Sequence, residues 1–362
     1  MNKTKVEWVR NPDGSRGYTW NPITGCLNHD NGLCKGGGFP CYACGLAYGR
    51  LNRRYLANGI VAYNYDGEGG EGTQEGLQAA FADPFYPRFW PERIPASYWI
   101  PTQGAGLGLN VKGKGIFVCD MGELFGDWIP QQWQKEVFKV IRGNPDCRFY
   151  LLTKQPQNLV KFSPFPDNCW VGVTATDRAS CKSALLALAE IRAKVKYISF
   201  EPLLSPAFCH HHWHTKGPRT GRRDTITSTC EICGDSHSSI AVSEDFNRGH
   251  KRPIIGWLII GAWTGSIEDK YKLRDRYPEL KAIPYQSKVT LQPKIEWVRE
   301  IVEAADRAGI PVFLKDNLNP LFAKNNCEGF EQCKSQLFTI TDNFPTRYHL
   351  RQEMPDGSKE VS

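Results

Sequence analysis

The chain has 362 residues, enough to bury a large core as one α/β barrel or as two ordinary domains. Its start lacks the apolar run of a signal peptide, and no later segment reaches the roughly 18 uninterrupted apolar residues of a membrane helix. We therefore expect a soluble, cytoplasmic protein with no membrane partner. The formal charge of +7 suits a polyanionic partner but also fits a small-molecule enzyme, so it favours nucleic acid only weakly.

Short apolar runs of strand length recur along the chain, separated by segments able to form helices such as 177–195 and 293–309. The runs are GYTW (17–20), GIFVCD (115–120), RFYLLTK (148–154), CWVGVTAT (169–176), KYISFEPL (196–203), GWLIIGAWTG (256–265) and IPVFLKDN (310–317). This alternation indicates a parallel sheet buried on both faces. We predict an α/β fold, a full or partial (β/α) TIM-like barrel, with an open doubly wound sheet as the alternative.

Polar side chains cluster where the predicted strands end. They are Asp120, Glu123, Thr153, Lys154, Thr174, Thr176, Glu201, Thr264, Lys315 and Asp316. Chains often become polar where they reach the surface, which would explain any one of these residues. Barrel enzymes keep their chemistry at this end, however, and the agreement of six strands favours a functional site there.

Two regions interrupt the repeat and set the predicted domain boundaries. Residues 60–110 are rich in Gly, Pro and aromatic residues and lack the periodicity of a regular element, so we predict a long loop across the barrel mouth. Residues 206–252 separate two strands and carry many Cys and His, which indicates an inserted metal-binding module. We therefore assign 1–205 and 253–335 to the barrel, and 336–362 to a C-terminal extension.

Cysteines at short spacing follow the first predicted strand. In a reducing compartment the 13 cysteines of the chain are better explained as metal or cluster ligands than as disulfides. Cys26, Cys34 and Cys41 could hold a [4Fe-4S] cluster with one open iron, whereas a fourth thiolate would give a saturated cluster or a zinc site. Cys44 forms a C-x2-C pair with Cys41 but could instead be a small apolar residue on a helix.

The insert contains a second candidate metal site. Cys230 and Cys233 form a C-x2-C half-site, and Cys209 with His212 could complete tetrahedral zinc. The spacing does not choose between His212 and its neighbours His210 and His214, or His237. A surface loop with a histidine run and a second iron–sulfur cluster are the alternatives, and the basic run KGPRTGRR could contact phosphates.

In combination, these motifs resemble the phage Gp37/Gp68 (three-Cys-motif, DUF5131) family of radical S-adenosylmethionine-like proteins. The matching segments are TWNPITGC, CYA, LAYGRL, IFVCDMGELFGDWIP, FYLLTKQPQNL, WVGVTATD, YISFEPLL, WLIIGAWTG and PVFLKDN, in order over most of residues 17–318. The resemblance implies a radical SAM-type barrel with a [4Fe-4S] cluster on Cys26, Cys34 and Cys41. Members with shorter loops have C-x3-C-x2-C, whereas the intervals here are x7 and x6.

The resemblance also implies an activity. An external donor would supply one electron, and S-adenosylmethionine bound at the open iron would be cleaved to a 5′-deoxyadenosyl radical that abstracts hydrogen from a substrate. We expect a nucleic acid, nucleoside or modified base, with repair like that of spore photoproduct lyase or base modification as the chemistry. An inactive nucleic-acid-binding protein stabilised by a cluster or by zinc is the alternative.

By the same resemblance, Asp120 or Glu123 would accept from the methionyl ammonium of the cofactor. Thr174 and Glu201 lie where contacts to the ribose and the amine are expected. Lys154 and Lys315 would neutralise the cofactor carboxylate or a substrate phosphate.

Overall fold

A curved sheet of eight strands forms the centre of the protein. We number them β1 (Asn2–Lys3), β2 (Tyr18–Trp20), β3 (Gly115–Val118), β4 (Arg148–Thr153), β5 (Cys169–Thr174), β6 (Val195–Phe200), β7 (Trp257–Ile260) and β8 (Val312–Leu314). β1 is antiparallel to β2, and β2 to β8 are parallel. The computed structural model describes residues 1–63, 73–94, 113–208, 213–216, 227–230, 253–322, 337–341 and 347–356.

The strand order identifies a partial barrel. The strands lie in the sheet in their order along the chain, without the reversal that defines a doubly wound sheet. The ring of Trp8 packs at 5.0 to 6.1 Å between centroids against rings on four different strands, those of Phe117, Tyr150, Tyr197 and Trp257. The sheet therefore wraps around Trp8, as the barrel prediction requires, and all seven predicted strands are confirmed.

Helices cover the outer face of the sheet and the loops at its edge. They are α1 (Tyr42–Tyr48), α2 (Asn52–Leu56), α3 (Gln74–Ala82), α4 (Gln131–Arg142), α5 (Arg178–Glu190), α6 (Ile267–Arg274) and α7 (Ile295–Ala308), with 3-10 turns at Pro91–Arg93, Pro156–Phe162 and Asp316–Phe322. Asp177 begins α5 with a capping box, and Gly309 ends α7 at φ +65°. None of the helices in the described ranges is both long and apolar enough to cross a membrane.

Short strands outside the barrel form small antiparallel sheets. The pairs are Ile23–Thr24 with Arg88–Phe89, His29–Asp30 with Leu33–Cys34, Trp213–Lys216 with Thr227–Cys230, and Phe338–Thr341 with Arg347–Leu350. Trp263–Gly265, Lys288–Gln292 and Lys281–Tyr285 form a three-stranded sheet after β7.

The prediction that residues 60–110 contain no regular element is wrong over Gln74–Ala82, which forms α3, over the short strand Arg88–Phe89 and over the 3-10 turn Pro91–Arg93. The Thr73 side chain begins this helix by accepting a hydrogen bond from the Gly76 amide. Ala80 is the only residue of α3 that is buried, so the helix has almost no apolar stripe for a periodicity argument to detect. Residues 64–72 and 95–110 of the predicted loop lie outside the described residues.

The segment after residue 350 completes the core at the edge of the barrel beside β8. Leu314 N donates to Arg351 O at 2.8 Å and Glu353 N donates to Val312 O at 2.9 Å, so residues 351–353 extend the sheet beyond β8. Met354 joins the interior aromatic cluster around Trp8. The division into barrel, insert and C-terminal extension stays a prediction.

Candidate functional site

The loop with the three predicted cluster ligands leaves β2 and lies against the carboxyl end of β3. Gly25 N donates to Met121 O at 2.9 Å, and Glu123 N donates to Gly25 O at 3.1 Å. Farther along, Cys34 N donates to Phe39 O at 2.8 Å and Cys41 N donates to Gly32 O at 3.0 Å. The backbone itself therefore folds this loop and holds it at the barrel mouth.

Cys34 is buried and Cys26 and Cys41 are half-buried, and backbone amides lie beside two of the three sulfurs. All three cysteines are free, and Asn28 N donates to the Cys26 sulfur at 3.2 Å. The Gly36 amide donates to Cys34, and burial raises the pKa of both thiols. Amide donors to sulfur are also what tunes iron–sulfur clusters.

One half-buried lysine shares its surroundings with all three thiols. Burial alone would lower the pKa of Lys154, but nearby Cys34, Cys41, Glu123 and Cys26 raise it. Its aliphatic stem runs along the cysteine loop, where a Cβ added to Gly36 would lie 3.2 Å from the lysine Cδ. Lys154 is therefore a fixed positive charge beside a group of potential thiolates.

Cys44 has a different environment. It lies on α1, is 4% exposed, and packs with Ala43, Ala47, Tyr55 and Trp90 in a small apolar cluster. Burial raises its pKa to about 12. Cys26 and Cys41 pack against the same cluster, and Cys41 also contributes to the raised pKa of Cys44. Cys44 is therefore an apolar helix residue by its packing, although it lies close to two of the predicted ligands.

The donor set is compatible with a three-thiolate cluster. Within the described ranges, no group of three or more His, Cys, Asp or Glu side chains is arranged to hold one metal ion. The thiolates of a [4Fe-4S] cluster each bind a different iron, so they stand farther apart than the ligands of one ion. Free thiols, amide donors to sulfur and the adjacent Lys154 charge are compatible with such a cluster.

Two carboxylates follow β3, and their hydrogen bonds differ. Glu123 is 6% exposed; its Oε1 accepts from Thr153 Oγ1 at 2.7 Å and its Oε2 accepts from Lys154 N at 3.1 Å. Asp120 Oδ1 accepts from Asn21 Nδ2 at 2.6 Å. Burial raises the pKa of Asp120 to about 6. Glu123 thus fixes the end of β4, whereas Asp120 is the carboxylate better placed to meet a cation.

Hydroxyl groups line the floor of the mouth. Thr174 pairs with Ser199 across β5 and β6, and Thr153 pairs with Val173, which puts Lys154 at the level of Thr174. Because side chains alternate along a strand, Thr174 and Ser199 share the interior side with Trp170 and Tyr197. Both are buried, and neither hydroxyl has a hydrogen-bond partner among the described residues. A buried orphan hydroxyl costs about 1–3 kcal/mol, which a bound ligand would recover.

The remaining two predicted residues bind each other. Lys315 Nζ at the end of β8 donates to Glu201 Oε1 after β6, and both side chains are largely buried. Their strands flank β7, where a Cβ added to Gly261 would lie 3.0 Å from the Lys315 Cδ. The structure therefore gathers all six predicted cofactor-binding residues at one end of the barrel.

The predicted zinc ligands cannot be assessed in the same way. Cys209, His212 and Cys233 lie outside the described residues, and Cys230 ends a short strand whose side chains are likewise outside them.

Residues missed at the sequence level are Asn21, Ser199, Arg276 and Tyr277. Ser199 alternates with interior residues of β6, so the period of the strand could have revealed it. Arg276 and Tyr277 contact Gly38 and Gly37 of the cysteine loop from far along the chain, and no local pattern signals such contacts.

Comparison with solved structures returns distant likenesses to spore photoproduct lyase. Its complex with dinucleoside spore photoproduct is 11% identical, with 87% of this chain and 81% of that chain covered and a TM-score of 0.41. A cysteine-to-serine mutant of the lyase is 10% identical, covering 87% and 80% with a TM-score of 0.42. These likenesses are too distant to carry a conclusion on activity.

No curated protein matches the sequence. The model of the family described as "Protein of unknown function (DUF5131)" matches residues 3–272, which is most of the chain and includes the cysteine loop and strands β2 to β7. The chain therefore belongs to the DUF5131 family that its motifs predict.

Proposed function

We propose that the protein is a radical SAM-type enzyme with a [4Fe-4S] cluster on Cys26, Cys34 and Cys41. The observation that carries the proposal is that the loop carrying these three cysteines is folded by its own backbone hydrogen bonds at the carboxyl ends of the strands, with the Lys154 side chain packed along it. Three thiolates leave one iron of such a cluster open. A cluster held there and reduced by an external donor would supply the one electron that cleaves S-adenosylmethionine to methionine and a 5′-deoxyadenosyl radical.

The protein's own side chains have distinct parts in this proposal. Asp120 accepts from the cofactor ammonium, and Lys154 balances the charge of the thiolates and the cofactor carboxylate. Thr174 and Ser199 donate to the ribose, which satisfies hydroxyls that are otherwise buried without partners. The Glu201–Lys315 pair and Glu123 hold the opposite wall and the end of β4 in place.

A nucleic acid, nucleoside or modified base is the proposed substrate class. From Lys35 to Tyr65 the chain carries four cationic side chains and no Asp or Glu. Arg50, Arg53 and Arg54 are exposed beside the cysteine loop, as are Tyr42 and Tyr48 at 59% and 55%. Arginines interleaved with exposed aromatic rings suit a phosphate backbone and its bases.

The decisive experiment is anaerobic reconstitution with iron and sulfide, followed by reduction and measurement of 5′-deoxyadenosine from S-adenosylmethionine. We expect slow formation alone and faster formation with the correct DNA, RNA or nucleoside, and none with Cys34→Ala. Cys44→Ala is the matched control and should remain active. A wild-type protein that binds no S-adenosylmethionine with its cluster intact would contradict the enzyme proposal and leave the nucleic-acid-binding alternative.

We also propose that the insert binds structural zinc through Cys209, His212, Cys230 and Cys233. Metal binding and folding are coupled in such small modules, so Cys233→Ser should release zinc and expose the insert to proteolysis. Elemental analysis of protein purified without added zinc tests this; native protein with iron but no zinc would contradict it.

A further inference from the structure

The cysteine loop makes a contact across the barrel mouth that its widened spacing allows. Six residues separate Cys34 from Cys41, and three of them are the consecutive glycines 36–38. Gly36 lies on Lys154, and a Cβ added to Gly37 would lie 2.9 Å from Thr176 Oγ1 after β5. The glycine segment thus leaves the β2 side of the barrel and passes over the ends of β4 and β5.

The segment ends against residues that follow α6. Tyr277 Oη donates to the Gly37 carbonyl, across 240 residues of sequence. The Arg276 guanidinium occupies the position that a Cβ on Gly38 would take, and Gly38 itself has φ +63°, a conformation that favours glycine. The Arg276 guanidinium packs on Gly38 and the Tyr277 hydroxyl binds the carbonyl of Gly37, so these two side chains hold two successive residues of the loop.

The two side chains are themselves anchored. Tyr277 N and Arg276 N both donate to Leu273 O, at 2.8 and 3.1 Å, and Leu273 is fully buried. The Arg276 guanidinium also lies 5.9 Å from the centroid of the Tyr277 ring, so the two side chains support each other. The loop thus rests on a rigid support in the half of the barrel between β7 and β8.

From these contacts we infer that Arg276 and Tyr277 are positioning residues that hold the Cys34–Cys41 loop in its ligand-binding conformation. The inference rests on the proposed cluster. Gly38 N donates to Cys34 O at 2.6 Å and Cys34 N donates to Phe39 O at 2.8 Å, so the held peptides are tied directly to Cys34. Loosening Gly37 and Gly38 therefore shifts the Cys34 sulfur relative to the backbone amides around it. Hydrogen bonds to cluster sulfurs stabilise the reduced state, so their loss makes the reduction potential more negative.

Tyr277→Phe tests this by removing one hydroxyl while keeping the ring, and Tyr277→Phe with Arg276→Met removes the whole support. Both should load iron, lose it to a chelator about 10-fold faster than wild type, and show a more negative cluster midpoint potential. Tyr271→Phe is the matched control, because Tyr271 lies on α6 and is 58% exposed. It should behave as wild type in both measurements.

The outcomes separate this inference from the proposed function. Wild type that holds no cluster overturns the proposed function, and the inference with it. Wild type that holds a cluster while both Tyr277 variants keep its potential and its rate of iron loss overturns the inference alone. A lowered melting temperature with unchanged potential also overturns it, because that is the result of a purely structural contact.

Discussion

The two ends of the barrel interior differ in how well their buried polar groups are hydrogen-bonded. Toward the amino ends, aromatic rings fill the barrel, and among the described residues all of their buried polar atoms except Trp8 Nε1 have partners. Tyr150 Oη donates to Arg10 O at 2.8 Å, Tyr197 Oη donates to Leu151 O at 3.0 Å, and Trp257 Nε1 donates to Glu353 O at 2.8 Å. This end is built for stability.

At the carboxyl ends the same strands carry groups that burial disfavours. Thr174 and Ser199 have buried hydroxyls without partners among the described residues, and Asp120 has a raised pKa. The pKa of Lys154 is raised by Cys26, Cys34, Cys41 and Glu123. Such a concentration of unfavourable groups at one end of a well-packed barrel is typical of a site that binds a ligand. The same strands therefore stabilise the fold with residues near their amino ends and form the candidate site with residues near their carboxyl ends.

Removal of a proposed cluster thiol should have the largest effect. Cys34→Ala should abolish iron binding, because three thiolates are the minimum for the proposed cluster. Iron content and visible absorbance after anaerobic reconstitution measure this. Cys44→Ala should keep its iron; complete loss there would show that Cys44 is a fourth ligand.

Truncation at the aromatic end should cost stability without altering ligand binding. Trp257 is fully buried among Trp8, Tyr150, Trp170 and Tyr197, so Trp257→Ala should lower the free energy of unfolding by about 3–5 kcal/mol. Urea denaturation measures this. The affinity of the folded fraction for S-adenosylmethionine should match wild type, and a large loss of affinity would refute the separation of the two ends.

Asp120→Asn should stabilise the protein while weakening cofactor binding. The folded-state pKa of Asp120 is about 6 against an ordinary 3.8, so its charge lowers stability as the pH rises from about 4 to 6. The variant should therefore gain up to about 3 kcal/mol at pH 7 and almost nothing at pH 4. Urea denaturation at both pH values tests the sign, and equal gains at both would rule out the charge as the cause.

Cofactor affinity of wild type should likewise fall as the pH drops below 6, where Asp120 gains a proton, and the Asn variant should lack this step. Titration of cofactor against cluster absorbance checks this. The titration is repeated from about pH 5 to about pH 8, because a carboxylate with this pKa changes charge within that window.

The smallest effect is expected from the hydroxyl floor. Thr174→Val should raise the unfolding free energy of the cofactor-free protein by about 1 kcal/mol, because it removes a buried orphan hydroxyl. Thr290→Val is the control: Thr290 Oγ1 donates to Ile283 O at 3.0 Å, so that variant should lose about 1 kcal/mol. Thermal unfolding distinguishes the two signs, and a loss in both would mean that Thr174 already has a partner.

Prediction from sequence succeeded where the signal is local. The apolar runs identified all seven parallel strands, because a strand buried on both faces needs a continuous apolar segment. Their polar ends and the cysteines after β2 indicated which end carries the site. α3 was not predicted because it has only one buried residue and therefore no periodic apolar pattern. Its N-terminal cap and good helix formers stabilise it instead.

The sequence by itself determined the strands, the end of the barrel that is polar, and the three candidate cluster cysteines. Only the tertiary structure decided that Cys44 packs in an apolar cluster, that Thr174 lies beside Ser199, and that Tyr277 holds Gly37. The physical reason is the sequence separation of the residues involved. Apolar runs and side-chain alternation depend on neighbours a few positions away, whereas strand register and loop contacts join residues that are far apart in the chain. The chemistry of this site depends on both.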